Sequence, residues 1–279
     1  MKTIKIFTIL NVVAMLLFGC IDYPIYDFLY YDYGKIVSLI TDWTERGNDI
    51  DIPQNYTVRI GDYSEILSGT NNSIDNLFPA GKYIINIWNA TDHITVSDMI
   101  ATAGYAAGEL GWFFTGRKGM MIEIDRDHSV IVFMQQQVRQ LTFELEVTDD
   151  IKYRLTDVSA TLSGVAGTLN IDDGTHGAPT IIALIFAEDL NDGKWKATVR
   201  LLGITGNEQT LTLIMNFAEG NPLSCTFTSD LSNQLAAFNE DKKNPLTLSA
   251  RFDGTQTGTE QITIITDWIS EESSTGNAD

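Results

Sequence analysis

The chain has 279 residues, with 18 Lys and Arg against 37 Asp and Glu, and a net charge of −19 at neutral pH. A surface this acidic repels nucleic acid and anionic lipid headgroups, and no basic, aromatic-studded stripe offsets it. The acidic residues are spread through the whole chain rather than gathered in a tail, so they read as a solvated exterior.

The first segment carries Lys2 and Lys5 and then runs apolar from Ile6 to Phe18, broken only by Thr8 and Asn11. Two positive charges ahead of about a dozen apolar residues match a secretory signal. The run is shorter than the roughly 20 apolar residues a membrane span requires. It closes on Leu17, Phe18, Gly19 and Cys20, an arrangement resembling the lipobox of bacterial lipoproteins; Phe18 is its less usual member. Residues 1–19 therefore read as a signal peptide and Cys20 as the lipid-bearing first residue of the mature chain. The alternative is an ordinary buried terminal strand or helix with a coincident cysteine. Each acyl methylene adds about 0.8 kcal/mol to membrane attachment and one chain binds only marginally, so a multiply acylated, palmitate-bearing cysteine would hold permanently. With Cys20 lipidated, Cys225 has no disulfide partner and reads as a small buried thiol in a strand.

Tyr23, Tyr26, Phe28, Tyr30, Tyr31 and Tyr33 follow closely. Three readings stay open: a sticky tether, an adhesive patch, or a first strand made of strongly β-prone residues.

From there the pattern is β. Strands are expected over 36–43, 56–60, 83–88, 120–124 and 130–134. The cleanest is Leu141 to Val147, where apolar and polar residues alternate without an error. Further runs cover 181–186, 195–202, 211–217, 246–252 and 262–268, and Asn191-Asp192-Gly193 reads as a hairpin turn. Helix signals are few: Ser229 and Asp230 ahead of Leu231, Leu235 and Phe238, and an Ala-rich stretch at 97–107. Short, numerous strands with turns about every ten residues predict an all-β chain of antiparallel sandwiches.

Gln135-Gln136-Gln137 is the best place to divide the chain, giving a domain over 20–136 and another over 137–270, with an acidic tail at 271–279 expected to be disordered. The alternative there is one continuous strand. Ile40-Thr41-Asp42-Trp43 recurs as Ile265-Thr266-Asp267-Trp268, four residues that establish no duplication.

No catalytic, cofactor-binding or metal site is legible. His93, His128 and His176 fit no ligand spacing. Asp189 to Gly193 resembles the opening of a calcium loop, but the glycine comes one place early and Arg200 stands where the closing carboxylate belongs. Asp172-Asp173-Gly174 reads as a turn. Neither a Gly-x-Ser-x-Gly elbow nor a Walker-type loop is present, so no enzyme is expected. Asn55, Asn71 and Asn89 open glycosylation triplets that a bacterial lipoprotein would not ordinarily use.

The lipobox, the strand closing on Asp42-Trp43, Ile52-Pro53 ahead of a strand, and the run Phe78 to Asn89 together resemble the FimB-type fimbrial anchor lipoproteins of the fimbrillin superfamily. The second half is similar too, in Val138 to Val147, Ala160 to Ala166, and Asp230 to Asn239. The resemblance implies two transthyretin-like β-sandwich domains and a lipid-anchored, surface-exposed place in the outer membrane at the base of a pilus. It also implies fimbrial shaft subunits as protein partners, joined by strand exchange, in which backbone hydrogen bonds give affinity and alternating side chains give specificity. The first strand, 36–43, or the last, 261–268, is the natural one to exchange. Shaft subunits of that superfamily are cut after a basic residue; a cut after Arg46 would sever the body from its anchor, so Arg46 reads as a loop residue. The other reading is a surface adhesin or glycan-binding lipoprotein on the same sandwich.

Overall fold

The computed structural model describes residues 33–219, 223–257, 260–265 and 267–271. Leu17, Phe18, Gly19, Cys20, the aromatic cluster before Tyr33 and the acidic tail beyond Glu271 lie outside the described residues.

In chain order the first half supplies β1 (Tyr33–Glu45), β2 (Asn55–Ile60), β3 (Tyr63–Ser68), β4 (Asn71–Asn72), β5 (Leu77–Pro79) and β6 (Gly81–Trp88), then β7 (Ile94–Ser97), β8 (Ile100–Ala103), β9 (Phe114–Ile122) and β10 (Asp127–Gln136). The second half supplies β11 (Arg139–Val147), the helical turn α1 (Asp149–Lys152), β12 (Leu155–Asn170), β13 (His176–Ile185), β14 (Ala187–Glu188), β15 (Trp195–Leu201), β16 (Thr210–Phe217) and β17 (Ser224–Asp230). It ends with β18 (Leu246–Thr257), β19 (Glu260–Ile265) and β20 (Ile269–Glu271). The chain is all-β, as its alternating pattern predicts.

One sheet runs β3-β2-β6-β9-β10-β1-β4, with β5 also on β1. β9 and β10 pair only over 114–116 and 134–136, so the sheet folds back there. Its inward residues, among them Ile36, Leu39, Val58, Ile85, Ile87 and Val132, make one core. Two further sheets, β14-β15-β11-β18-β19 and β17-β16-β12-β8-β7, enclose a second core from Leu141, Phe143, Leu213, Met215 and Phe252. Each half pairs its first strand with a late one in parallel, β1 with β10 and β11 with β18.

The hairpin β7–β8 departs from a division by sequence. It leaves the first half and extends the sheet of the second, pairing Ala101 with Leu169. The helix expected over 97–107 is absent. Asp98 and Met99 both take positive φ, 48° and 64°, between paired Ser97 and Ile100, which is the geometry of a tight two-residue hairpin turn. Burial of Ile94, Met99 and Ala101 in a third core, with Phe113, Val138, Leu169 and Leu202, outweighs the helix preference of the alanines.

The helix expected after Asp230 is also replaced, by a chain of turns over 232–240. Asp230 does accept from Ser232 N at 2.9 Å as a cap would, and Leu231, Leu235 and Phe238 are buried. Leu235 N donates to Leu231 O at 2.9 Å, but the bonds that follow close over three residues, as from Phe238 N to Leu235 O, and the ends are held by the rest of the fold. Leu231 N donates to Gln209 O at 2.7 Å, and Phe238 O accepts from Arg139.

Candidate interaction surfaces and the seam between halves

Gln136 and Gln137 are buried, and their amides tie the two halves together. Gln136 Oε1 accepts from Gly47 N at 2.9 Å, while its Nε2 donates to Val138 O and Lys242 O at 2.8 and 2.6 Å. Gln137 Nε2 donates to Thr115 Oγ1 at 2.8 Å, and its Oε1 accepts from Lys242 Nζ at 2.5 Å. Burial holds Lys242 well below the usual lysine range, at about 8. Arg139 adds bonds to Asn244 O and Phe238 O at 2.7 and 3.0 Å and lies over the Phe238 ring. A cleft of about 400 Å³ opens along this seam between Glu45, Gln135–Gln137 and Asn239–Lys243. Its lining is polar, and Gln136, Gln137, Asn239, Lys242 and Lys243 in it are engaged in internal bonds.

Other crossings reinforce it. Tyr105 Oη donates to Ala166 O at 2.9 Å and accepts from Leu202 N at 3.0 Å, and its burial pushes its phenol up. Arg200 stacks on Trp112 at 4.5 Å and donates to Leu110 O at 3.1 Å. Asn86 Nδ2 reaches Asp172 Oδ1 at 2.8 Å.

The residues singled out in the sequence are not brought together. His93 sits in a loop with φ 57°. His128 Nε2 accepts from Glu123 N at 3.0 Å. His176 Nε2 donates to Leu202 O at 3.2 Å; burial first, then nearby Lys242, pulls its pKa down to about 4. Asp189 and Asp192 close a hairpin loop, each accepting from a backbone N–H two residues on. The ammonium of Lys196 fills the space between them, 2.9 Å from Asp189 and 2.7 Å from Asp192, with Glu144 at 3.4 Å. A calcium ion would have to displace that lysine. Among the described residues no cluster of His, Cys, Asp and Glu is arranged to hold a metal. Asp173 likewise turns on itself, accepting from Thr175 N and Oγ1.

Arg46 occupies the turn after β1, where Nε donates to Ile50 O at 2.9 Å and a terminal nitrogen to Trp43 O at 3.2 Å. Asn89 is buried with its amide bridging Trp112 O and Phe114 N, so it is structural. Cys225 lies half-buried on the edge strand β17, and desolvation raises its thiol pKa. The seam itself escaped sequence reasoning; three consecutive glutamines were its only local signal.

Both candidate exchange strands have defined places. β1 lies inside its sheet, parallel to β10 on one side and antiparallel to β4 and β5 on the other. Ile36, Leu39, Thr41 and Trp43 face inward, and Trp43 meets Phe114 edge-on at 5.5 Å. β19 and β20 pair with β18, and Trp268 between them packs edge-on to Phe143 at 5.3 Å. The repeated motif thus ends each time on a tryptophan that closes its own core.

The fold these strands build is that of a group of solved proteins from Bacteroides and Porphyromonas species. A candidate adhesin from Bacteroides ovatus is 14% identical, with a TM-score of 0.58 over 80% of this chain and 93% of that one. The fimbrial anchor protein Mfa2 from Porphyromonas gingivalis is 12% identical, with a TM-score of 0.56 over 85% of this chain and 98% of that one. A candidate polysaccharide-binding protein from Bacteroides thetaiotaomicron is 10% identical, with a TM-score of 0.54 over 84% of this chain and 97% of that one. No protein-family model and no curated protein matches the sequence.

Proposed function

We propose that the chain is an outer-membrane lipoprotein that anchors or terminates a fimbria, joined to shaft subunits by strand exchange and built on two transthyretin-like sandwiches. The observation that carries this is the likeness to a fimbrial anchor protein over nearly the whole of both chains. The lipobox at 17–20 supports it independently, because it supplies the anchor that such a role needs. The role read here is mechanical; His128, His176 and the loop of Asp189 and Asp192 are engaged in internal bonds, which is consistent with it.

The test is to replace Cys20 with Ala and image the cell surface. Fimbriae, or the protein itself, should pass from the membrane fraction into the medium. Retention of both would overturn the anchor reading.

The names of the Bacteroides neighbours favour a second reading, a surface adhesin or glycan-binding lipoprotein. Sugars stack on exposed aromatic faces, and Phe133 on β10 and Tyr153 after α1 are exposed. Glycan-array binding lost on Tyr153→Ala would support this reading over the first.

A further inference from the structure

β13 presents an edge that the rest of the molecule leaves open. It pairs with β12 on one side, and among the described residues no strand pairs with the other. Exposed edges are normally blunted by charge, proline or a bulge, since a bare one templates pairing with another chain. The first part of β13 has such protection in Pro179 and in Ala178, whose φ is 49°. The remainder, Thr180 to Ile185, has none. It carries no charge in a chain of net charge −19, and Ile181 and Ile185 stand 67% and 80% exposed while Ile182 and Leu184 face the core.

We propose that this segment is a self-association surface whose occupant is Thr180–Ile185 of a second copy of the chain. The spacing is self-complementary. Antiparallel pairing centred on Ala183 sets Ile181 against the second copy's Ile185, and Ile185 against the second copy's Ile181, on one face. On the other face it sets Ile182 against Leu184. A twofold interface requires this reciprocity, and apolar pairs directly opposite each other across strands are the favourable unit of sheet pairing. The outward row continues from Ile185 through Ser159 to Ile214, again without charge; the acidic side chains nearest the edge, Glu109 and Glu208, stand in the clefts that border it. Beside the edge, a cleft of about 660 Å³ separates Ile181–Ala183 from Thr198–Arg200 and the Tyr105–Leu110 segment, so among the described residues no strand of this chain occupies that side. Six residues a side make a small interface, so association is weak, with a dissociation constant of roughly 100 µM.

Sedimentation equilibrium of the Cys20→Ala protein without residues 1–19, which removes association through the apolar leader or a lipid, tests this. The expected result is a concentration-dependent dimer, with Ile181→Lys plus Ile185→Lys weakening it at least tenfold. Both side chains are exposed, so that variant should keep its melting temperature. A second arm uses one cysteine at the dyad, Ala183→Cys in a Cys20→Ala, Cys225→Ser background. Mild oxidation should link it into covalent dimers faster than Thr198→Cys in the same background. A monomer up to about 500 µM, a dimer that survives the lysines, or equal cross-linking at 183 and 198 would overturn the proposal.

Discussion

At the scale of single residues, His176 and the seam's Lys242 and Arg139 sit in settings that disfavour their charge. His176 has a pKa near 4 against 6.5 when free, because burial, and then the Lys242 charge, penalise the imidazolium. The unfolded chain therefore takes up that proton first, and stability falls as pH drops from about 6.5 to about 4. Lys242 works in the same sense at the other end: its folded pKa of about 8 lies below its ordinary 10.5, so stability rises with pH between those values. The expected loss from His176 on acidification is about 1–2 kcal/mol, after allowance for its partial exposure. Denaturant midpoints measured from pH 7 to 4 on the protein and on His176→Gln would check it; the variant should show a shallower decline. The sequence offered no sign of either shift. A histidine's environment is made by residues remote along the chain, here Leu202 and Lys242.

At the scale of elements, the alternation in Leu141 to Val147 was legible because a strand half-covered by a core must alternate, and β11 does. The two helices expected and not found show the limit of that reasoning. Alanine content and a capping pair are local signals, whereas pairing of Ala101 with Leu169 and the bond from Arg139 to Phe238 O are not. β1 is central to the first half, since it has neighbours on both edges and carries Ile36, Leu39 and Trp43 into the core. Trp43→Ala should cost about 3–5 kcal/mol, the usual range for emptying a buried aromatic site. Trp268→Ala should cost a similar amount in the second half, where Trp268 is 3% exposed. Urea titrations would measure both. A cost below 1 kcal/mol at either position would show that the tryptophan is not holding its core closed.

At the scale of the whole molecule, two sandwich cores are joined by a third that takes residues from both halves: Met99 and Phe113 from one, Val138, Leu169 and Leu202 from the other. With the buried glutamines beside it, this joint ties the halves together through buried contacts and hydrogen bonds. The intact protein should unfold in one calorimetric transition. Phe113→Ala, which empties the joint, should lower the melting temperature and split the transition in two. One transition in both proteins would mean that the halves are coupled elsewhere. By itself the sequence determined the β class, most strand positions and the acidic exterior, because each is written in composition or in the period of neighbouring residues. Only the tertiary structure decided that 94–103 crosses to the second sheet, that Gln136 and Gln137 are buried ties, and that Lys196 fills the acidic loop. The first two depend on partners dozens of residues away in sequence, whose approach no local pattern encodes; the third depends on the loop conformation that turns Asp189 and Asp192 onto Lys196.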